Sequence, residues 1–129
     1  MEPSEAVNAF EQALGRLREV VAEPETAIIR DAAIKRFEFT FELAWKAIQR
    51  YLRDEGITCR SPKSCLREAF TLGIIPDDPR WIRLIDDRNL TAHTYDEETA
   101  KMIFRNLKED YLSLFEQLRQ GLVSRLGPS

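Results

Sequence analysis

The sequence has little of what metal sites and histidine-rich catalytic centres require. Histidine occurs once, at His93, and the 2 cysteines, Cys59 and Cys65, have neither a second cysteine pair nor a histidine close to them. A structural zinc site takes four such ligands. The cysteine pair is therefore interpreted as structural or incidental, and the sequence predicts no metal site.

Long apolar runs and an excess of basic residues are also missing. No run approaches the roughly 18 apolar residues that a membrane span needs, and the first residues carry acid where a secretory signal carries Lys or Arg. We therefore predict a cytoplasmic protein that does not enter a membrane. The net charge of −3 argues against a non-specific nucleic-acid binder. Because residues 30–53 hold 6 basic and 3 acidic side chains, an anionic ligand would have to find a local patch.

Glycine-based phosphate motifs are absent as well. The chain contains neither a Gly-rich phosphate loop nor a Gly-x-Ser-x-Gly element, so ATP hydrolysis and serine-hydrolase chemistry have no support. The sequence predicts no cofactor.

Helical periodicity runs through nearly the whole chain. The 129 residues suit one compact domain, assigned to residues 1–129. Apolar residues recur at steps of three and four, which predicts an all-α, up-and-down bundle of about five helices, three long and two short. The predicted helices start at Ser4 as N-cap, at Thr26, at Ser61-Pro62, at Asp78-Pro79 and at Asp96. The first ends before Pro24, the second at Asp54, the third at Leu72 and the fifth near Leu122.

The apolar stripes define the predicted core. The first helix contributes Ala6, Phe10, Leu14, Leu17 and Val21, and the fifth contributes Ala100, Ile103, Leu107, Tyr111, Leu114 and Leu118. The second carries Ala33, Phe37, Phe41, Ala44, Ile48 and Tyr51, widened by Ile34, Trp45 and Leu52. So broad an apolar surface predicts that the second helix is central and has neighbours on several sides.

The residues best suited to chemistry lie between the fourth and fifth helices. The segment from Arg88 to Tyr95 has the form Arg-x4-His-x-Tyr and contains the one histidine. Arginine is a permanent cation suited to phosphate, and histidine can move a proton to or from a hydroxyl near neutral pH. The pair suffices for metal-free RNA cleavage, in which the ribose 2'-hydroxyl is the nucleophile. Asp87 and Asn89, beside Arg88, are predicted supporting residues.

Two arrangements could bring Arg88 and His93 together. On one straight helix they would be rotated by roughly 140° from each other. Either the helix ends near Ala92 and His93 swings round, or a second chain adds its own pair to a shared cleft. The second arrangement predicts a homodimer with its two-fold axis near these residues. A competing hypothesis pairs Arg88 with Asp86 or Asp87 in a solvated network and lets His93 cap a helix.

A second segment, from Arg36 to Lys46, interleaves aromatic and charged residues. Such a pattern is compatible with base stacking, but its spacing favours a helix with a core face and a salt-bridged face. Glu38 and Glu42 lie one turn apart in this segment, without the Glu-x-x-His spacing of a carboxylate metal site.

The chain resembles the HEPN domains, and among them the nucleotidyltransferase substrate-binding proteins of HEPN/MNT toxin–antitoxin pairs. The resemblance covers roughly residues 5–120 and is carried by Arg36 to Lys46, by Ser61-Pro62 to Gly73 and, without a gap, by Arg88 to Tyr95. It implies a helical bundle that dimerises with its motif helices facing one another and acts as a metal-independent ribonuclease toxin. Arg88 and His93 would be catalytic.

The resemblance also implies a partner, a minimal nucleotidyltransferase that silences the ribonuclease by attaching AMP to the motif tyrosine, here Tyr95. Two other functions stay open. The chain could be a non-catalytic subunit that presents substrate to the nucleotidyltransferase, or a purely structural helical dimer. Whether dimers assemble into a higher oligomer is left open.

Overall fold

The computed structural model describes residues 1–127, and every regular element in that range is a helix. Helix α1 spans Pro3–Val21, α2 Ala27–Asp54, α3 Pro62–Thr71 and α4 Arg80–Leu90. Helix α5, Glu97–Asn106, continues through a π-helical segment, Leu107–Tyr111, into α6, Leu112–Leu126. The predicted all-α bundle is confirmed, and the fifth predicted helix comprises α5, the π-helical segment and α6. None of these helices is both long and apolar enough to cross a membrane.

Side-chain caps set three of the helix starts. The Thr26 hydroxyl accepts a hydrogen bond from the Ile29 backbone N–H at 3.1 Å, and Ser61 forms a reciprocal capping box with Ser64. A carboxylate oxygen of Asp96 accepts from the Thr99 N–H at 2.8 Å. Each cap satisfies a backbone donor that has no partner within the helix, and each confirms the predicted start.

Two predicted starts are wrong by one or two residues, both beside a proline. Helix α1 begins at Pro3 rather than after a Ser4 cap, because proline fits the first helical position, where its missing N–H is not needed. Helix α4 begins at Arg80, so Pro79 is the cap rather than the first helical residue. The Asp78 carboxylate still accepts from the Arg80 N–H at 3.0 Å.

Helix α2 is the centre of the bundle. It contacts α1, α3, α4, α5 and α6, as its broad apolar surface predicted. All the residues of the three predicted stripes are buried, as are Ile34 and Leu52, whereas Trp45 is half-buried. The Phe115 ring of α6 meets the rings of Phe10, Phe37 and Trp81 edge-on at centroid distances of 6.0 to 6.3 Å. This aromatic cluster joins α1, α2, α4 and α6.

Cys59 and Cys65 form a disulfide that closes the connection between α2 and α3, and both residues are buried. The structural interpretation of the pair is therefore confirmed, although the bond itself was not predicted. Within residues 1–127 no group of three or more His, Cys, Asp or Glu side chains is arranged to hold a metal ion.

Two helical glycines make a matched test of how closely the elements pack. A Cβ atom on Gly121 of α6 would lie 2.0 Å from the Ile74 carbonyl oxygen, whereas one on Gly15 of α1 would meet nothing within 4 Å. We expect Gly121→Ala to lower the free energy of unfolding by about 1–3 kcal/mol through overpacking. Gly15→Ala should raise it by about 0.5–1 kcal/mol, since alanine costs less backbone entropy in a helix. Urea unfolding followed by circular dichroism measures both, and equal shifts would contradict this packing.

Candidate active site at the end of helix α4

The Arg88 to Tyr95 motif straddles the C-terminal end of α4. The helix ends at Leu90, and Thr91 caps it by donating from both its backbone N–H (3.1 Å) and its hydroxyl (2.6 Å) to the Arg88 carbonyl. The His93 N–H donates to the Leu90 carbonyl at 3.3 Å. His93 and Tyr95 therefore lie in the connection to α5, so neither shares a helical face with Arg88, and the 140° rotation does not apply.

Arg88 is held against α2. Its Nη2 donates to Glu42 Oε1 at 3.1 Å, and its guanidinium carbon lies 5.8 Å from the centroid of the Phe41 ring. The hypothesis that Arg88 pairs with Asp86 or Asp87 is therefore wrong. Arg88 Nε is buried and has no acceptor among the described residues.

Glu42 is a residue of this site whose role the sequence does not predict. Besides Arg88 it contacts Lys46, with Oε2 3.9 Å from Nζ, and it accepts from Trp45 Nε1 at 3.3 Å. The sequence predicts Glu42 to lie on a salt-bridged helix face but does not predict its pairing with Arg88, because nothing in the spacing relates it to a residue 46 positions later. The predicted salt-bridged face of the Arg36 to Lys46 segment does exist. Phe37 and Phe41 are in the core, as predicted, whereas Phe39 is 56% exposed.

Asp87 is buried and faces a hydrogen-bond network on the last long helix. One carboxylate oxygen accepts from the Tyr111 hydroxyl at 2.5 Å and from Asn106 Nδ2 at 3.0 Å. Tyr111 is the last residue of the π-helical segment, a rare geometry that is frequent at functional sites. The network fixes the motif helix against α5 and the π-helical segment.

The Tyr111 hydroxyl stays protonated in this network. Burial raises its pKa first, and the hydrogen bond to the Asp87 carboxylate raises it further, while Arg83 opposes both effects. Arg83 Nε donates to the same hydroxyl at 3.2 Å, and its guanidinium is also paired with Asp110. A protonated tyrosine is a donor, which is what the buried carboxylate requires.

The remaining motif side chains are free to meet a ligand. His93 and Asn89 are exposed, and neither side chain hydrogen-bonds to another residue in the described range. Tyr95 is half-buried. Burial raises the pKa of its hydroxyl, and the nearby Asp31 and Glu38 carboxylates add to the shift.

The site therefore combines a permanent cation, restrained by a carboxylate, with an accessible imidazole on the adjoining turn. Such a pair can bind a phosphate and exchange a proton with a hydroxyl.

Comparisons with known proteins agree on one family. Residues 5–124 match the family described as "Nucleotidyltransferase substrate binding protein like". The chain is 37% identical over 109 residues to the "Probable ribonuclease HepT" of Haemophilus influenzae, with 74% of each chain covered. It is also similar to a crystal structure of a Thermus thermophilus protein, with 41% identity and a TM-score of 0.76 over 92% of this chain and 99% of the other.

Two tyrosine-to-phenylalanine changes test the Asp87 network. Tyr111→Phe removes a donor from a buried carboxylate and should lower the free energy of unfolding by about 1–3 kcal/mol. Tyr95→Phe, which breaks no hydrogen bond between described residues, is the matched control and should stay within about 0.5 kcal/mol. Denaturant titration at neutral pH measures both, and similar losses would show that the network does not stabilise the fold.

The stabilities of the Tyr111→Phe and Tyr95→Phe variants should also depend differently on pH. Because the folded pKa of Tyr111 lies above the ordinary value of 10.0, the unfolded chain ionises first as the pH rises. The stability from Tyr111 is thus complete below pH 10.0 and declines above it. We expect Tyr111→Phe to flatten this alkaline decline more than Tyr95→Phe does, as measured by unfolding from about pH 8 to 11.

Proposed function

Because this chain belongs to the nucleotidyltransferase substrate-binding-protein-like family of HEPN proteins, we propose that it is a metal-independent endoribonuclease, the toxin of a HEPN/MNT toxin–antitoxin pair. One observation carries the proposal. The only histidine of the chain lies exposed on the turn that follows the arginine-bearing end of α4. The name of the Haemophilus influenzae relative supports the same activity.

The proposed reaction uses the RNA's own nucleophile. The ribose 2'-hydroxyl attacks the adjacent phosphorus while His93 takes its proton, and the bond from phosphorus to the 5'-oxygen breaks. The 5'-oxygen leaves as it takes a proton from water, and His93 returns its own proton to the solvent, so the products are a 2',3'-cyclic phosphate and a 5'-hydroxyl. Arg88 stabilises the added negative charge of the pentacoordinate phosphorus, as a fixed cation can.

The neighbours of Arg88 would position it rather than touch the reacting atoms. Glu42 holds one nitrogen of the guanidinium at 3.1 Å, so the side chain keeps one orientation before substrate binds. Asp87 sets the rotation of α4 through Tyr111, and the exposed Asn89 is placed to contact substrate. Glu42 and the phosphate would both bind the Arg88 guanidinium. Binding therefore favours a ligand whose negative charge is large enough to compete with the Glu42 carboxylate.

The proposed active form is a homodimer with a composite cleft. The exposed apolar residues Ile82 (59%) and Leu90 (45%) on α4 and Phe70 (43%) on α3 provide a surface that a second copy could cover. A dimer formed there would bring two motif helices together.

Tyr95 is the proposed regulatory residue, and a minimal nucleotidyltransferase is the proposed partner. The tyrosine oxygen would attack the α-phosphorus of ATP, forming the new bond as pyrophosphate leaves and the hydroxyl proton passes to the partner enzyme. Since the pKa of Tyr95 is raised, the partner has to supply the base that removes this proton. The attached phosphate would compete with RNA for Arg88 and obstruct the cleft.

A second candidate function follows from the family's own description, which is that of a substrate-binding protein. In that role the chain would present a substrate to the nucleotidyltransferase without cleaving RNA. The acidic net charge of −3 favours this alternative, because it weakens affinity for RNA. An RNA cleavage assay separates the two functions.

Cleavage should depend on both motif residues and on no metal. Wild-type protein should cut single-stranded RNA in the presence of EDTA and leave 2',3'-cyclic phosphate ends. Arg88→Ala or His93→Ala should lower the rate by about 10² to 10⁴ while the circular dichroism spectrum is unchanged. Exposed Arg105, outside the motif, provides the control Arg105→Ala. Activity that needs Mg²⁺ or survives His93→Ala would contradict the proposal.

Mixing the two inactive variants tests the composite cleft. If each site takes Arg88 from one chain and His93 from the other, a mixed dimer regains one of its two sites. Random exchange makes about half of the dimers mixed, so about a quarter of wild-type activity should return. A single-chain site would recover none of it, and a light-scattering mass of one chain would exclude the dimer altogether.

Modification at Tyr95 should be visible by mass. Co-expression with a minimal nucleotidyltransferase of the proposed kind should add one or more AMP units to the intact chain and inhibit cleavage. Tyr95→Phe should abolish the added mass, whereas Tyr51→Phe, a buried tyrosine of α2, should not. An unchanged mass, or AMP on another residue, would remove the regulatory role from Tyr95 even if Arg88 and His93 are catalytic.

A further inference from the structure

Helix α2 separates its charges by face. Three of its four acidic residues approach the motif: Glu42 bonds Arg88, and Asp31 and Glu38 raise the pKa of Tyr95. Five of the six basic residues counted between residues 30 and 53 instead line a groove between α1 and α2, namely Lys35, Arg36, Lys46, Arg50 and Arg53. The local basic patch that an anionic ligand would require therefore exists.

The α1–α2 groove has an apolar floor and a rim without acidic residues. Its two halves share Ala9 and Leu43 and so form one channel along both helices. Ala6, Ala13 and Ala32 complete the floor, and Arg16 of α1 adds a further cation to the rim. From Ala32 to Arg53 the channel follows α2 for about 30 Å, at roughly 1.5 Å per residue.

The groove cations are largely unneutralised. Across residues 1–127, Arg16, Lys35, Arg36 and Arg53 belong to no ion pair. Arg50 has only a long approach to Asp54, at 3.8 Å, and its buried Nε has no hydrogen-bond acceptor in that range. On a chain with a net charge of −3, such a concentration of free cations indicates an anionic ligand.

Phe39 adds an aromatic surface at the edge of the groove. Its side chain is 56% exposed, and Lys35 Nζ lies 5.1 Å from the ring centroid. An exposed ring beside cations that follow a channel is the combination with which proteins bind single-stranded nucleic acids, the ring stacking a base and the cations meeting phosphates.

The groove is preformed and adjoins the candidate active site. Arg36 Nη1 donates to the Arg16 carbonyl at 2.7 Å, which ties α2 to α1 across the channel. Lys46, on the rim, lies 3.9 Å from Glu42, the carboxylate that holds Arg88.

We propose that the α1–α2 groove binds single-stranded RNA and leads it toward Arg88 and His93. The proposal rests on the proposed ribonuclease function for the role of this RNA as substrate, whereas binding in the groove can be tested without cleavage.

The probe is a fluorescent single-stranded RNA of about 12 nucleotides that carries 2'-O-methyl groups, because these block the nucleophile and prevent cleavage. Its affinity for the wild-type protein is measured by fluorescence anisotropy at several salt concentrations. The charge reversal Lys35→Glu/Arg53→Glu should weaken binding at least tenfold. It should also make the slope of log affinity against log salt concentration shallower by about 1.4, because each lost phosphate contact contributes roughly 0.7. Phe39→Ala should weaken binding about tenfold through lost stacking.

Two controls match these variants. Arg105→Glu/Lys108→Glu changes the charge by the same amount at exposed cations outside the groove and outside any ion pair between described residues. Ile28→Ala removes an apolar side chain of α2 that is 79% exposed and lies outside the groove lining. Both should bind within twofold of wild type.

The outcomes separate this proposal from the ribonuclease proposal. No measurable binding by wild type, or equal binding by groove and control variants, overturns the groove proposal. A change of light-scattering mass in the groove variants would also overturn it, because the groove would then be a contact between copies of the chain. Groove-dependent binding without cleavage of unmodified RNA keeps the RNA-binding groove and rejects the ribonuclease. Cleavage of unmodified RNA that is equally fast in wild type and groove variants keeps the ribonuclease and rejects the RNA-binding groove.

Discussion

The burial of helix α2 is the constraint on which the rest of the structure depends. Apolar side chains surround this helix of 28 residues so broadly that no single neighbour could cover them. Five other helices therefore pack against it, and their positions follow from the need to remove this surface from water. Except for the buried Arg30, the charged residues of α2 are exposed or half-buried, and the strips that they form are the surfaces available for ligands.

The separation of charge on α2 gives two neighbouring strips of the molecular surface different chemistry. Where α4 packs against α2, an arginine meets a carboxylate, so Arg88 is oriented and partly neutralised before any ligand arrives. Beside the contact between α1 and α2, the open groove is lined by small apolar residues, and cations remain at its rim. A restrained cation favours a strongly charged ligand, whereas loosely held cations attract a polyanion along its length.

The orientation of the motif helix depends on a buried carboxylate. Asp87 is adjacent to Arg88 in sequence but faces the opposite partner, the π-helical segment, and a buried charge needs donors to be tolerated. The π-helical geometry places Tyr111 and Asn106 where they provide them. Rotation of α4 would break these bonds, so the network that satisfies Asp87 also keeps Arg88 directed at Glu42.

The sequence by itself determined the helices, the core stripes and the motif, because each depends on residues a few positions apart. A cap such as Thr26 forms its hydrogen bond within one turn of the helix. The predicted helix starts were wrong only beside a proline, as at Ser4, where the proline shifts the first helical residue. The tertiary structure alone decided the partners of the site: Glu42 lies 46 residues before Arg88, and Tyr111 lies 24 residues after Asp87. No local periodicity relates such distant residues, because they meet only when separate helices pack around one core.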